Sequence, residues 1–545
     1  MSRALALPAG VICGALILGF AAASHGARKP RHAAPAAKAG EPVFVISGRG
    51  WGHGVGMSQW GAHGFARRGM SYDRILAHYY RGTTLERAPV TKVRVLLAAG
   101  KQKLTIASAA PFRVREQSGN VRRLPAGEHV FGPGLKVKKK GVKRRVALQW
   151  PVVFLPGDEP LKLGKRYRGT IHVDAAGGRL RAINVVGLEQ YLYGVVPAEV
   201  PDDWPTEVLK AQAVAARSYA LATRRTNGAF DLYPDVRDQV YRGVDEEEDS
   251  TNAAVDATAG RVLMYRGRVA TTYFHSTSGG RTASSADIWG TAVPYLVGVD
   301  DPYDAISPHH TWGPTVMSTS SLQKVLKAPG RLADVRLALN SSARVSTVTG
   351  VGSLGQVSVR GADVRRALGL RSTWFRVGVL ALPAPAAPVP FGGVGKLAGT
   401  ARSVAKPVLE QQVGSVWKAV SKVQPQPNGL FAVTVRPSAT TRYRLVAGAA
   451  RTPPTTVGVA PRIALTPPGD LSELNGTVRP ALPGAGVEIQ RLNGQAWHVV
   501  GRTSVDVRGH FTARLDVAPG NYRARVPAPG RGLVGGTSPT IVVGR

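Results

Sequence analysis

Residues 188–222, LEQYLYGVVPAEVPDDWPTEVLKAQAVAARSYALA, change character midway, from a turn punctuated by prolines to an Ala-rich run. Pro205 suits the first turn of a helix, and Asp202, Asp203 and Glu207 gather at its positive end, with the run continuing to about Arg224. Leu209, Ala213, Ala216 and Ala220 fall on one face, so the pattern predicts a narrow-sided helix buried against a sheet. Glu199 stands outside this helix, between Pro197, Ala198, Val200 and Pro201. A carboxyl in such apolar surroundings has its pKa raised by desolvation, which is what a general acid needs near neutral pH. Asp202 and Asp203 are expected to be solvated instead.

Two further stretches stand out from the background. Ser47–Ala62, SGRGWGHGVGMSQWGA, places six glycines among Trp51, His53, Met57, Gln59 and Trp60, a density that lets backbone approach backbone or ligand closely. Alone, such a loop is more often a tight structural turn than a site. A helix is predicted after it, with Ser71 as N-cap and Ile75, Leu76, Tyr79 and Tyr80 as its apolar stripe. Thr271–Gly298, TTYFHSTSGGRTASSADIWGTAVPYLVG, leads from strand-like residues into a turn of His275, Ser276, Ser278, Gly279 and Gly280 that could line a sugar-binding cleft. A Ser/His hydrolase is the competing reading. Against it, the G-x-S-x-G elbow is missing and no sequence signature places an acid partner.

Together the three stretches resemble the SpoIID/LytB family, named for stage II sporulation protein D and for an enhancer of a cell-wall amidase. Ser353–Phe375, with Gly361, Arg365 and LGLRSTWF, is similar to that family's closing strand and helix. The resemblance runs from about Val43 to Val379 and implies a lytic transglycosylase whose single glutamate, here Glu199, serves as acid and then base. Candidate cleft contacts are His53, Ser58, Gln59, Gln212, Arg217, Ser276 and Ser278. The implied partner is the glycan strand of peptidoglycan, with anionic wall polymers and a cell-wall amidase as others. The amidase-enhancer branch makes a non-catalytic modifier the second reading, and a wall-binding adhesive protein is the third.

Two departures from the family stand out. GHGVGMSQWGA usually comes late but here opens the domain, as in a circular permutation, so Val43 and the chain near Val379 are expected to meet. Some relatives bind zinc through Cys and His, whereas the one cysteine here, Cys13, lies in an N-terminal apolar run. No metal site and no cofactor are therefore expected.

That apolar run, Val11–Ala23, follows the basic Arg3 and precedes small residues, so residues 1–26 are expected to be a signal peptide, with a retained anchor as the alternative. Membrane contact is expected only through that segment if it is uncleaved. Export places the protein in the cell wall or outside the cell. A formal charge of +37 attracts polyanions, and outside the cytoplasm these are wall polymers and lipid headgroups, not nucleic acid. Lys136–Arg145 is expected to be a solvated hairpin turning at Gly141.

The predicted fold class is α+β, a mixed, mostly-β catalytic domain with a few helices. Its expected organisation is a flexible basic linker over 27–42, the domain at 43–379, a Pro/Ala linker at 380–394 and two small β-sandwich repeats at 395–462 and 463–545. The repeats rest on an internal match: Leu397, Gly399, Trp417, Phe431 and Tyr443 correspond to Leu474, Gly476, Trp497, Phe511 and Tyr522.

Overall fold

A computed structural model describes residues 40–138 and 145–544. Its many short sheets and few helices make the chain a mostly-β member of the α+β class. The expected signal segment, Cys13 and Gly141 lie outside the described residues, as does the expected linker before residue 40. Lys136–Lys138 and Arg145–Ala147, on either side of Gly141, do pair antiparallel. Among the described residues no helix is long and apolar enough to cross a membrane.

Strand Val43–Arg49 runs between Thr311–Ser318 and Phe375–Ala381 in a five-stranded sheet. Val43 pairs with Leu380 and Phe44 with Val379, so the two ends expected to meet lie side by side. The sheet does not stop there. Phe375–Ala381 pairs in turn with Gly395–Arg402, which pairs with Leu430–Val435. The stretch read as a stiff spacer is built in as well: Leu382 and Val389 are buried, and Val389–Pro390 pairs with Val459–Ala460. Its Pro/Ala composition hid the few apolar positions that anchor it. The core of the first repeat accordingly includes Val43, Leu380 and Leu382 from outside the expected boundary.

Lys92–Lys101 and Arg179–Gly187 pair antiparallel within a six-stranded sheet, and a four-stranded sheet joins it in closing a separate apolar cluster around Phe112, Phe131 and Phe154. Strand Arg179–Gly187 delivers the chain directly to helix Leu188–Tyr193. Helix Thr206–Thr223 follows, and it is buried along nearly its whole surface from Val208 to Leu221 rather than on one narrow face. Its alanines let helices Gln59–Ala66, Tyr72–Tyr79 and Asp249–Ala257 and strand Arg261–Tyr265 approach from several sides. Ser71 precedes helix Tyr72–Tyr79 in extended conformation, but its side chain makes no capping bond to the helix backbone.

In the tail, Gly399 faces Phe431 across one strand pair as Gly476 faces Phe511 across another. A Cβ on either glycine would lie within 3 Å of the opposing ring, so both positions require glycine. Trp417 and Trp497 sit opposite Gln412 and Leu492 in equivalent hairpins, and Tyr443 and Tyr522 pair with Gln411 and Arg491.

Candidate functional site

Glu199 ends a short helix, Val196–Glu199, with Pro197 in its first turn. Pro201 excludes helical geometry from the residue before it, and Val200 is extended at φ −136°, ψ 148°. The prolines therefore terminate the turn at Glu199 and fix where the carboxyl is presented.

Side chains from two sequence stretches converge here. The Gln59 amide Nε2 donates to the Glu199 carbonyl at 3.1 Å and lies 3.4 Å from the Gln212 side-chain oxygen. Gln212 is fully buried, and its Nε2 has no partner; the Oε1 of Glu199 is likewise buried without one. Burial pushes the Glu199 carboxyl up from 4.5 to about 7, against a smaller opposing pull from Arg242. At neutral pH the group is thus poised between its protonated and ionised forms. Asp202 and Asp203 are exposed, as expected.

Gln239 and Tyr191 extend this buried polar region. Tyr191 Oη donates to Gln239 Oε1 at 3.3 Å, and the Gln239 Nε2 is buried and unpartnered. Next in the chain to Gln59, Trp60 packs edge-on against Trp204 at 4.9 Å, with His63 4.6 Å from the Trp204 ring. Gln239 and Trp204 were not singled out from sequence, and Trp60 was noted in the glycine-rich stretch but not as a cleft contact. Gln239 lies in a loop whose sequence carries no periodicity to mark it.

The glycine-rich stretches are knitted to each other. Met57–Ser58 pairs in parallel with Phe274–His275, and Trp51 bridges Thr277. Asp304 ties this knot: its carboxylate accepts from Ser58 Oγ at 2.8 Å and from the amides of Ser278 and Gly279, both at 2.9 Å. Gly56 shows why glycine is needed, since its φ is +72° and a Cβ there would lie 1.9 Å from the Tyr273 carbonyl oxygen.

Gln212, fully buried, positions Gln59 rather than meeting a substrate, and three further expected cleft contacts are corrected by this geometry. Ser58 is fully buried, and its Oγ caps helix Gln59–Ala66 by accepting from Gly61 at 3.1 Å. Ser278 is fully buried, its Oγ accepting from the Gly280 amide at 3.0 Å. Arg217 is also fully buried, donating to Glu189 and to the carbonyls of Arg261 and Val255. None of the three can touch a substrate in this arrangement.

Ser276 is half-buried, and its carbonyl accepts from the Trp60 amide at 3.0 Å, which leaves it beside the Gln59 end of the site. His53 is half-buried and 5.4 Å from His275 ring to ring; burial, reinforced by Arg365 and Arg344, pushes its pKa down to about 3. It is neutral at pH 7. Among the described residues no group of three or more His, Cys, Asp or Glu is placed to hold a metal ion.

Residues 176–265, which include Glu199 and Gln212, match the family model SpoIID, described as Stage II sporulation protein. The chain is similar to an uncharacterized protein of Brachyspira hyodysenteriae, 38% identical over 169 residues, 30% of this chain and 45% of that one. It is similar to an amidase enhancer of Bacillus subtilis, 41% identical over 114 residues, 21% of this chain and 15% of the relative. Stage II sporulation protein D of Bacillus subtilis is 30% identical over 220 residues, 36% of this chain and 61% of the relative. The chain thus spans less than two thirds of the length of each of these relatives. Among solved structures, a chimeric titin tandem covers 30% of this chain at 13% identity and a TM-score of 0.14, too low to bear on the fold. The chain carries a domain of the SpoIID/LytB family.

Proposed function

We propose that this chain is an exported cell-wall protein that cleaves the glycan strands of peptidoglycan as a lytic transglycosylase, with Glu199 as its acid and base. The observation that carries the reading is the carboxyl of half-buried Glu199, whose Oε1 is buried without a partner and whose desolvation lifts its pKa to about 7. In the protonated form it gives its proton to the glycosidic oxygen as the bond to the anomeric carbon breaks. The resulting carboxylate then takes the proton of the substrate's own C6 hydroxyl, whose oxygen closes on that carbon. One carboxyl suffices for this route. A hydrolase would need a second one about 5–9.5 Å away. Gln59 and Gln212 hold the carboxyl-bearing turn, and the half-buried Trp60 beside Trp204 offers an aromatic surface to a pyranose ring.

The test is mass spectrometry of peptidoglycan fragments after incubation with wild type and Glu199→Gln. Anhydro-muramyl ends from wild type alone support the reading. Their absence from both, with the protein folded, removes it.

The similarity to an amidase enhancer favours one second reading, a modifier of a cell-wall amidase. On that reading Glu199→Gln leaves amidase stimulation unchanged.

A further inference from the structure

The tail carries the same surface device twice. On strand Thr441–Ala447, Tyr443 points into the core, so Arg444 points to the outer face of the sheet; Tyr522 and Arg523 repeat this on Gly520–Val526. The Arg444 guanidinium lies 4.2 Å from the centroid of the Trp417 ring, and that of Arg523 lies 4.1 Å from Trp497. Both tryptophans are half-buried, and Val499, two positions from Trp497 on the same strand, is 38% exposed.

Much of the surrounding sequence differs between the repeats, yet the stacked pair recurs in register. An indole that holds a guanidinium flat restricts its rotamers and leaves N–H donors to face solvent, the geometry that suits a bidentate acid group. Residues 395–544 contain 18 Lys and Arg against 6 Asp and Glu, so the ground around both pairs is cationic.

We infer that the outer sheet faces at Trp417–Arg444 and Trp497–Arg523 form a two-site surface for an anionic polysaccharide, with its acid groups on the guanidinium edges and its sugar rings against the exposed indole surface. This inference is independent of Glu199. The two sites are not equal. Arg444 turns both its Nε and a terminal nitrogen to the Glu410 carboxylate, each at 2.7 Å, whereas Arg523 donates its Nε to the neutral Gln490 side chain at 2.8 Å. Arg523 therefore has no carboxylate competing at that contact, and the second repeat is the stronger site.

The test is calorimetric titration of the full chain with polygalacturonate and, as a neutral glycan, dextran. Arg444→Lys with Arg523→Lys keeps the charge and removes the planar fork, and Trp417→Ala with Trp497→Ala removes the platform. Arg436→Gln with Arg508→Gln removes two exposed charges elsewhere in the tail. Polygalacturonate is expected to bind at least about tenfold tighter than dextran, and each Arg→Lys change to cost up to about tenfold, more at Arg523 than at Arg444. Equal binding of dextran overturns the inference, as does an equal or larger loss in the Arg436→Gln, Arg508→Gln control. If the Trp→Ala protein unfolds by circular dichroism, the Arg→Lys pair decides: unchanged affinity for polygalacturonate overturns the proposal.

Discussion

Replacing Glu199 by glutamine should change how stability depends on pH, and the size of the change follows from the burial of one carboxyl. In the folded chain the group holds its proton up to about pH 7, whereas an unfolded glutamate releases it near 4.5. Between those values the folded state binds one proton more than the unfolded state, so stability falls as pH rises. At about 1.4 kcal/mol per pH unit, the fall amounts to about 3 kcal/mol, complete above pH 7. Glutamine cannot ionise and lacks this fall. Wild type and Glu199→Gln should therefore be close at pH 4, while at pH 8 the variant should be more stable by about 3 kcal/mol. Urea unfolding followed by ellipticity at 222 nm is suited to the measurement, because helices Gln59–Ala66, Leu188–Tyr193, Thr206–Thr223 and Asp249–Ala257 all pack in or against the core next to Glu199. A stability difference that stays flat from pH 4 to pH 8 would refute the claim that this carboxyl is desolvated, and with it the acid role.

Other substitutions probe the remaining geometry. If Glu199 delivers a proton to the glycosidic oxygen, kcat/KM for glycan cleavage should decline above about pH 7, tenfold for each further unit, and a rate still rising at pH 8 contradicts it. Arg217→Met should cost about 2 kcal/mol by taking the guanidinium from partly exposed Glu189, which keeps only the Gly260 amide of its described hydrogen-bond donors. Lost cleavage at unchanged thermal stability would instead restore Arg217 as a substrate contact. Gly56→Ala should destabilise by 2 kcal/mol or more, on the order of the strain of a Cβ against the Tyr273 carbonyl at positive φ, read as a lower melting temperature. Gln59→Leu should lower the cleavage rate by about tenfold with the fold retained, because it frees the turn that carries Glu199.

The desolvation of Glu199 was legible because its signal is local: two prolines bracket it and apolar residues surround it. Gln212 and Arg217 show where finer reading was possible. They are five positions apart on one helix, about 140° around its axis, so both could not face the same groove. Ser58 and Ser278 were beyond such reasoning. A serine among glycines has the same appearance in sequence whether its hydroxyl meets a ligand or a backbone amide, and only the placement of Asp304, some 250 residues from Ser58 in the chain, decides between them. Gln239 is buried by tertiary contacts that leave no periodic trace. The internal match of Phe431 and Tyr443 with Phe511 and Tyr522 did announce the paired tail units, but which strands share a sheet with Val43–Arg49 depends on contacts hundreds of positions apart.

The continuous sheet through Val43–Arg49, Phe375–Ala381 and Gly395–Arg402 determines where the chain can be cut. A fragment ending near residue 385 would strip the hydrogen-bonded neighbour from Phe375–Ala381 and uncover Leu380, leaving a bare strand margin as a template for self-association. Trimming the protein to its first 385 residues would thus be expected to give aggregates, and the first tail repeat serves the N-terminal body as a guard rail.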